Sequence, residues 1–290
     1  MSRLRTLLER GEFVVTGEVA PPLGADLSAM MRSVETLGPV THALNVTDNQ
    51  GATLHLSSLA ASRAVLEAGY EPIFQQTCRD RNRLALQSDL LAAATFGLQN
   101  VLIVTGDDPG CGDHPQARGV FDLDSTQLIR IAADMNEGRD MLGRELRGAT
   151  SFYVGAAAFP EAEPFDVQSA RAVRKIEAGA RFFQTQAVMD IERFARAVEA
   201  WRPHGVKVIA SVLLLKSPRV IDFVNARLAG LMVPEALAER IRGATDPFEE
   251  SVRLAIEQVR ELRDIADGVH IMPLGADETV VRILEGAGVA

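Results

Sequence analysis

The sequence predicts a (β/α)8 barrel, on three observations. Eight short β-rich runs alternate with helical stretches. The runs are apolar almost throughout, as parallel strands buried on both faces are. No antiparallel hairpin signal breaks the series. An open doubly wound sheet is the alternative. It usually carries a Gly-rich phosphate turn after its first strand, but here that turn reads EVAPPLGAD. Neither GxGxxG nor GxxxxGK[ST] occurs in the chain.

Each element follows from its residues. The first strand, 13–19 (FVVTGEV), is β-branched and stops at Pro21-Pro22. The next are 42–48 (HALNVTD), 72–78 (PIFQQTC) and 100–106 (NVLIVTG). Between the last two, 81–97 has Leu84, Leu91 and Phe96 near helical spacing and ends on Gly97, a stop signal. The fifth strand is 151–159 (SFYVGAAAF). A helix over 166–180 follows, with Asp166 as its N-cap and Gly179 at its close. After the sixth strand, 182–188 (FFQTQAV), a helix over 190–201 opens on Asp190 and ends on Trp201, a packing residue. The seventh and eighth strands are 207–215 (KVIASVLLL) and 269–275 (VHIMPLG). Two helical segments, 217–228 and 233–266, separate them as extra helices within about 217–266.

The chain has 290 residues, 47% hydrophobic and 24% charged, which is enough to bury a core without staples. With no Ser- or Pro-rich linker, residues 1–290 read as a single domain. A net charge of −9 argues against nucleic-acid or anionic-membrane partners, because a phosphate surface needs clustered Lys and Arg. Cys78 and Cys111 form no disulfide framework and no CxxC pair, and the charged start MSRLRTLLERGEF lacks a signal-peptide core. No apolar run reaches membrane-spanning length. A cytoplasmic protein is expected.

Barrel chemistry gathers at the C-terminal ends of the strands, and six of the eight end in polar groups. These are Glu18; Thr47 and Asp48; Gln75 and Thr77; Thr105, Asp107 and Asp108; Glu161 after Phe159; and Gln184 with Gln186. Each has a plainer role open to it. GDDPG is a turn first, Glu18 could pair with an Arg, and the glutamines could satisfy each other inside the barrel. CGDH (111–114) lacks the spacing of a zinc motif and reads as loop, so no metal site is expected. His270, inside the last strand, reads as a satisfied core histidine, and His42, His55 and His204 sit at element edges.

Five pieces in register carry a resemblance: GEVAPP, NVTDN, TGD, AAAFPE and KIEAGARFFQTQAVMD. From about Phe13 to Gly275 the chain resembles the methylenetetrahydrofolate reductase family, whose members reduce a methylene-folate to a methyl-folate on a barrel. The resemblance implies an acid at Glu18 that protonates a folate nitrogen so that the imidazolidine ring opens. A carboxylic acid does this near neutral pH when burial raises its pKa. It also implies folate contacts at Asp107 and Gln186. Cofactor contacts are implied at Thr47, Gln75, Thr105, Gly106, Asp107, Phe121, Ala158, Phe159 and Lys175. The implied cofactors are FAD and NADH or NADPH, and a homo-oligomer or a reductase-complex partner is expected.

The departures fall on the flavin side. Thr105 stands for the family's Arg, Gln75 for a His, Phe159 for a Tyr, Glu163 for a His, and Gln168 and Arg171 for Asp and Asn. Pro218 stands near a position that is commonly aromatic. Direct hydride transfer from the nicotinamide, without flavin, therefore stays open. So do an accessory folate-binding subunit and a folate-barrel methyltransferase.

Overall fold

The computed structural model describes residues 2–227 and 231–289. Eight parallel strands close into a barrel in chain order: β1 (Val14–Val19), β2 (Ala43–Val46), β3 (Pro72–Thr77), β4 (Asn100–Val104), β5 (Tyr153–Ala158), β6 (Phe182–Ala187), β7 (Lys207–Leu213) and β8 (Gly268–Met272). Closure pairs β8 with β1, which sets His270 opposite Thr16. The helices are α1 (Arg3–Glu9), α2 (Ser28–Leu37), α3 (Ser58–Glu67), α4 (Arg83–Thr95), α5 (Ser125–Asn136), α6 (Phe165–Ala178), α7 (Ile191–Trp201), α8 (Pro218–Arg227), α9 (Glu235–Gly243), α10 (Pro247–Leu262) and α11 (Glu278–Ala287).

Strand alternation divides the core in two. Val15, Leu44, Phe74, Val101, Val154 and Phe183 face outward and pack under the helices. The inward residues at the N-terminal end, among them Val14, Ala43, Ile73, Tyr153, Phe182 and Ile209, fill the barrel floor. Tyr153 and Phe182 stack with ring centroids 5.1 Å apart. The Phe182 ring fills the space beside Gly155, where a Cβ would come within 2.2 Å of it. Helix α1 closes the floor from below with Leu4 and Leu8, both fully buried. Glu71 ties it down, accepting from the backbone N–H groups of Arg3 (2.6 Å) and Leu4 (2.9 Å).

Four details differ from the sequence expectations. The buried stripe of α4 is Leu86, Leu90 and Ala93, whereas Leu84, Leu91 and Phe96 are exposed to different degrees. With leucines on several sides of this helix, the i, i+4, i+7 row at 86, 90 and 93 is the one that faces the strands. Helix α6 starts one residue earlier, with Pro164 as N-cap, and Asp166 lies inside its first turn. The segment 233–266 is two helices. Asp246 breaks it and caps α10 by accepting from the N–H groups of Phe248 and Glu249, with Pro247 at the first helical position. Helix α1 is an added element, and residue 228, the expected end of 217–228, lies outside the described residues. Asp190 does cap α7, and Gly179 closes α6 at φ +126°. Trp201 is buried edge-on against Phe183, as a packing residue should be.

Candidate active site

Glu18 is the last inward-facing residue of β1, at the barrel mouth, and its side chain is only 15% exposed. Gln50 Nε2 lies 3.5 Å from its Oε1. No arginine pairs with it among the described residues. The ionisable side chain beside it is His270, whose Nε2 sits 3.8 Å from Oε2. His270 is fully buried, and its Nδ1 lies 3.0 Å from the Thr16 hydroxyl. That hydroxyl is 3.4 Å from the Val269 carbonyl. When its proton points there, Nδ1–H donates to Thr16 and Nε2 presents a lone pair toward Glu18. His270 is therefore not the satisfied core histidine expected: Nε2 has no hydrogen-bond partner among the described residues.

The ends of β2 and β3 form a rigid rim. Asp48 is 1% exposed and accepts from Thr77 N (2.9 Å), Thr77 Oγ1 (3.1 Å) and both terminal nitrogens of Arg81 (2.7 and 3.2 Å). Gln75 Oε1 accepts from Asp48 N at 2.9 Å. Thr47 is buried beside them. After β4, Gly106 turns the chain at φ +91°, pressed so closely on Arg79 and Thr77 that a Cβ would meet Arg79 Cβ at 2.9 Å. The turn leaves Asp107 exposed at the mouth. Gln186 lies partly buried on the inward face of β6.

A separate cleft of about 460 Å³ opens at the ends of β4 and β5. Thr105, Ala158, Phe159 and Lys175 line it, together with the start of α5 and Arg171 and Arg174 of α6. The first residues of α5, Ser125 and Thr126, face it with the positive end of the helix dipole, while Asp124 caps that helix at Gln127 N. Lys175 Nζ donates to the Ala157 carbonyl at 2.7 Å, and burial pulls its pKa down to about 8. Three cations against one carboxylate, at a helix N-terminus, give this cleft a positive lining. Phe159 as a whole is 43% exposed. Thr47, Gln75 and Phe121 lie outside this cleft. Phe121 is an exposed loop residue at φ +40°.

Residues 3–288 match the family profile described as Methylenetetrahydrofolate reductase. The chain belongs to the methylenetetrahydrofolate reductase family. Among its relatives, "Methylenetetrahydrofolate reductase 2" of Schizosaccharomyces pombe is 24% identical over 73% of this chain and 35% of that protein. "Methylenetetrahydrofolate reductase (NADH) 1" of Arabidopsis thaliana is 23% identical over 99% of this chain and 50% of that protein. The chain thus spans half or less of these relatives' length. A tryptophan synthase structure from M. tuberculosis aligns with TM-score 0.58 at 13% identity, over 100% of both chains, which shows the fold alone.

Of the residues that the sequence singled out, Thr47 and Gln75 sit on the β2–β3 rim, Gly106 and Asp107 in the turn after β4, and Phe121 in an exposed loop; the rest fall in two groups. Glu18 and Gln186 lie on the inward face of the barrel, while Thr105, Ala158, Phe159 and Lys175 gather at the cleft. The missed residue is His270. The signal for it was an inward position on β8 flanked by apolar Val269 and Ile271, but its partner, Thr16, lies 254 residues away. In CGDH, Cys111 ends a one-turn 3₁₀ helix (Pro109–Cys111) and the rest is loop: Asp113 accepts from Leu54 N and pairs with His114. No group of three or more metal-ligating side chains occurs among the described residues, and no described helix is long and apolar enough to cross a membrane.

Proposed function

We propose that the chain reduces methylene-tetrahydrofolate to methyl-tetrahydrofolate with electrons from NADH or NADPH, with Glu18 as the acid. The observation that carries this is the Glu18 carboxyl at the barrel mouth with His270 against its inner side. Ring opening requires a protonated nitrogen leaving group. The carboxyl delivers that proton, the ring opens to an iminium, and hydride addition at the iminium carbon gives the methyl group. Gln186 and Asp107 are proposed to hold the pterin through its amide and amino edge. Family membership and the names of the relatives support this reading.

The cleft at β4 and β5 fits the diphosphate of a dinucleotide. Arg171, Arg174 and Lys175 offer the charge, Thr105 and the α5 N-terminus offer donors, and the Phe159 ring offers an apolar face. FAD held by these residues supplies a hydride carrier between nicotinamide and folate. A second reading, direct transfer from a nicotinamide dinucleotide bound in that cleft, is favoured by Gln168 and Arg171, which replace the family's usual Asp and Asn. An inert folate-binding subunit has no use for an acid backed by a buried histidine.

The test is NADH or NADPH oxidation by the purified chain with and without methylene-tetrahydrofolate, with the product identified by mass. Folate-dependent oxidation yielding methyl-tetrahydrofolate is expected; none with either donor would overturn the proposal. The visible spectrum of the same sample separates the two electron routes: flavin bands support FAD, and a colourless active protein supports direct transfer.

A further inference from the structure

Barrel interiors are filled in layers of four side chains from alternate strands, mostly bulky and branched. Stepping round this barrel, one residue up per strand pairing to follow the tilt, puts Asn45 (β2), Leu102 (β4), Gln184 (β6) and His270 (β8) at one level. Glu18 lies in the layer above. Three of these four are polar, and all three are at least nine-tenths buried. Among the described residues, eight buried side-chain nitrogen and oxygen atoms lack a hydrogen-bond partner, and four are here: Asn45 Nδ2 and Oδ1, Gln184 Oε1 and His270 Nε2. Buried polar atoms are rarely left so, and a cluster of them in one interior layer marks a ligand.

The atoms specify which ligand. A cation would meet the Asn45 amide donor, and an anion would meet three acceptors. A water molecule matches the set, accepting from Asn45 Nδ2 and donating toward Gln184 Oε1 and His270 Nε2. We propose that Asn45, Gln184 and His270 hold buried water beneath Glu18, and that this water, with His270, returns the proton to Glu18 after each turnover. The proposal rests on Glu18 being the acid. Nε2 and Oε2, 3.8 Å apart, are too far for a direct hydrogen bond, and the water completes the contact. The proton balance is simple. Glu18 gives its proton to the folate nitrogen. After product leaves, a solvent proton adds to the His270 Nε2 lone pair; the water then gives a proton to the carboxylate as it takes that one from Nε2–H, which returns His270 to its Nδ1–H form, and no electrons move. Asn45 and Gln184 are positioning residues, since they act through the water.

Two experiments test this. A high-resolution crystal structure of the wild-type protein should show water within hydrogen-bond distance of Asn45, Gln184 and His270. A dry layer, with the Asn45 and Gln184 amides bonded to each other, would overturn the proposal. Kinetically, N45L fills the layer as Leu102 does, and Q184L serves if N45L fails to fold. A single turnover, with enzyme in excess over methylene-tetrahydrofolate and NADH present, uses the proton already on Glu18. It should slow less than about threefold, while steady-state kcat falls at least about tenfold. Equal losses, or none, would refute the relay. The E18Q variant in the same assay checks the underlying reading separately: if its single turnover is unimpaired, the acid assignment fails whatever N45L does.

Discussion

The floor and the mouth of this barrel are built from the same eight strands and do opposite things. At the floor, the inward residues are apolar and interlocked: Phe182 fills the space beside Gly155, and Leu4 and Leu8 of α1 seal it from below. A few residues further along the same strands, the inward positions become Thr16, Asn45, Gln184, Glu18 and His270. A polar interior of this kind costs stability, since each unpaired buried group carries a desolvation penalty. The floor offsets that cost through dense packing, so substitutions there should read out as stability and substitutions at the mouth as function.

The largest break in this division should come from Phe182→Ala. Removing the ring empties the space between Tyr153 and Gly155, and a loss of about 3–5 kcal/mol is expected for such a cavity. Urea unfolding checks it, and the protein that stays folded should still bind nucleotide. Next comes Asp48→Asn, which tests whether part of the mouth is scaffold. It removes the charge facing Arg81 while keeping one acceptor, and about 1–3 kcal/mol should be lost. A change in turnover with no change in unfolding midpoint would contradict the scaffold role of the β2–β3 rim.

The third prediction concerns the cleft. Lys175 carries its proton below about pH 8 and loses it above. A positive Lys175 attracts a diphosphate, so nucleotide affinity should fall as pH rises through about 8. Lys175→Met should remove most of that dependence and weaken binding about tenfold. Titration calorimetry at several pH values measures both. The smallest effect concerns the thiols. Burial pushes the Cys78 thiol up to about 12, while Cys111 is exposed. A thiol reagent should therefore label only Cys111 in the native protein and both cysteines in denaturant.

The barrel was legible because its cause is local. Apolar runs such as VLIV and VIASVLLL, separated by capped helices, fit parallel strands and little else. Helix α1 was not legible: seven residues are too few to show a period, and Leu4 and Leu8 acquire meaning only when the strands close above them. The face of α4 was misread because leucines lie around it and only the sheet selects a side. Of the site, Glu18 and Gln186 could be read from strand ends, and Lys175 from a family motif. His270 could not, because its value depends on β8 closing against β1 and bringing it to Thr16 and Glu18. Asn45 and Gln184 carry their meaning in a layer that no stretch of sequence displays.

The central claim is that Glu18 protonates the folate. The most direct measurement is the rate of methyl-tetrahydrofolate formation by Glu18→Gln against wild type, with the unfolding midpoint of each recorded. A loss of roughly 10²-fold or more, with the midpoint unchanged, is expected for removal of a general acid. A folded variant that keeps most of its folate-dependent turnover would contradict the claim.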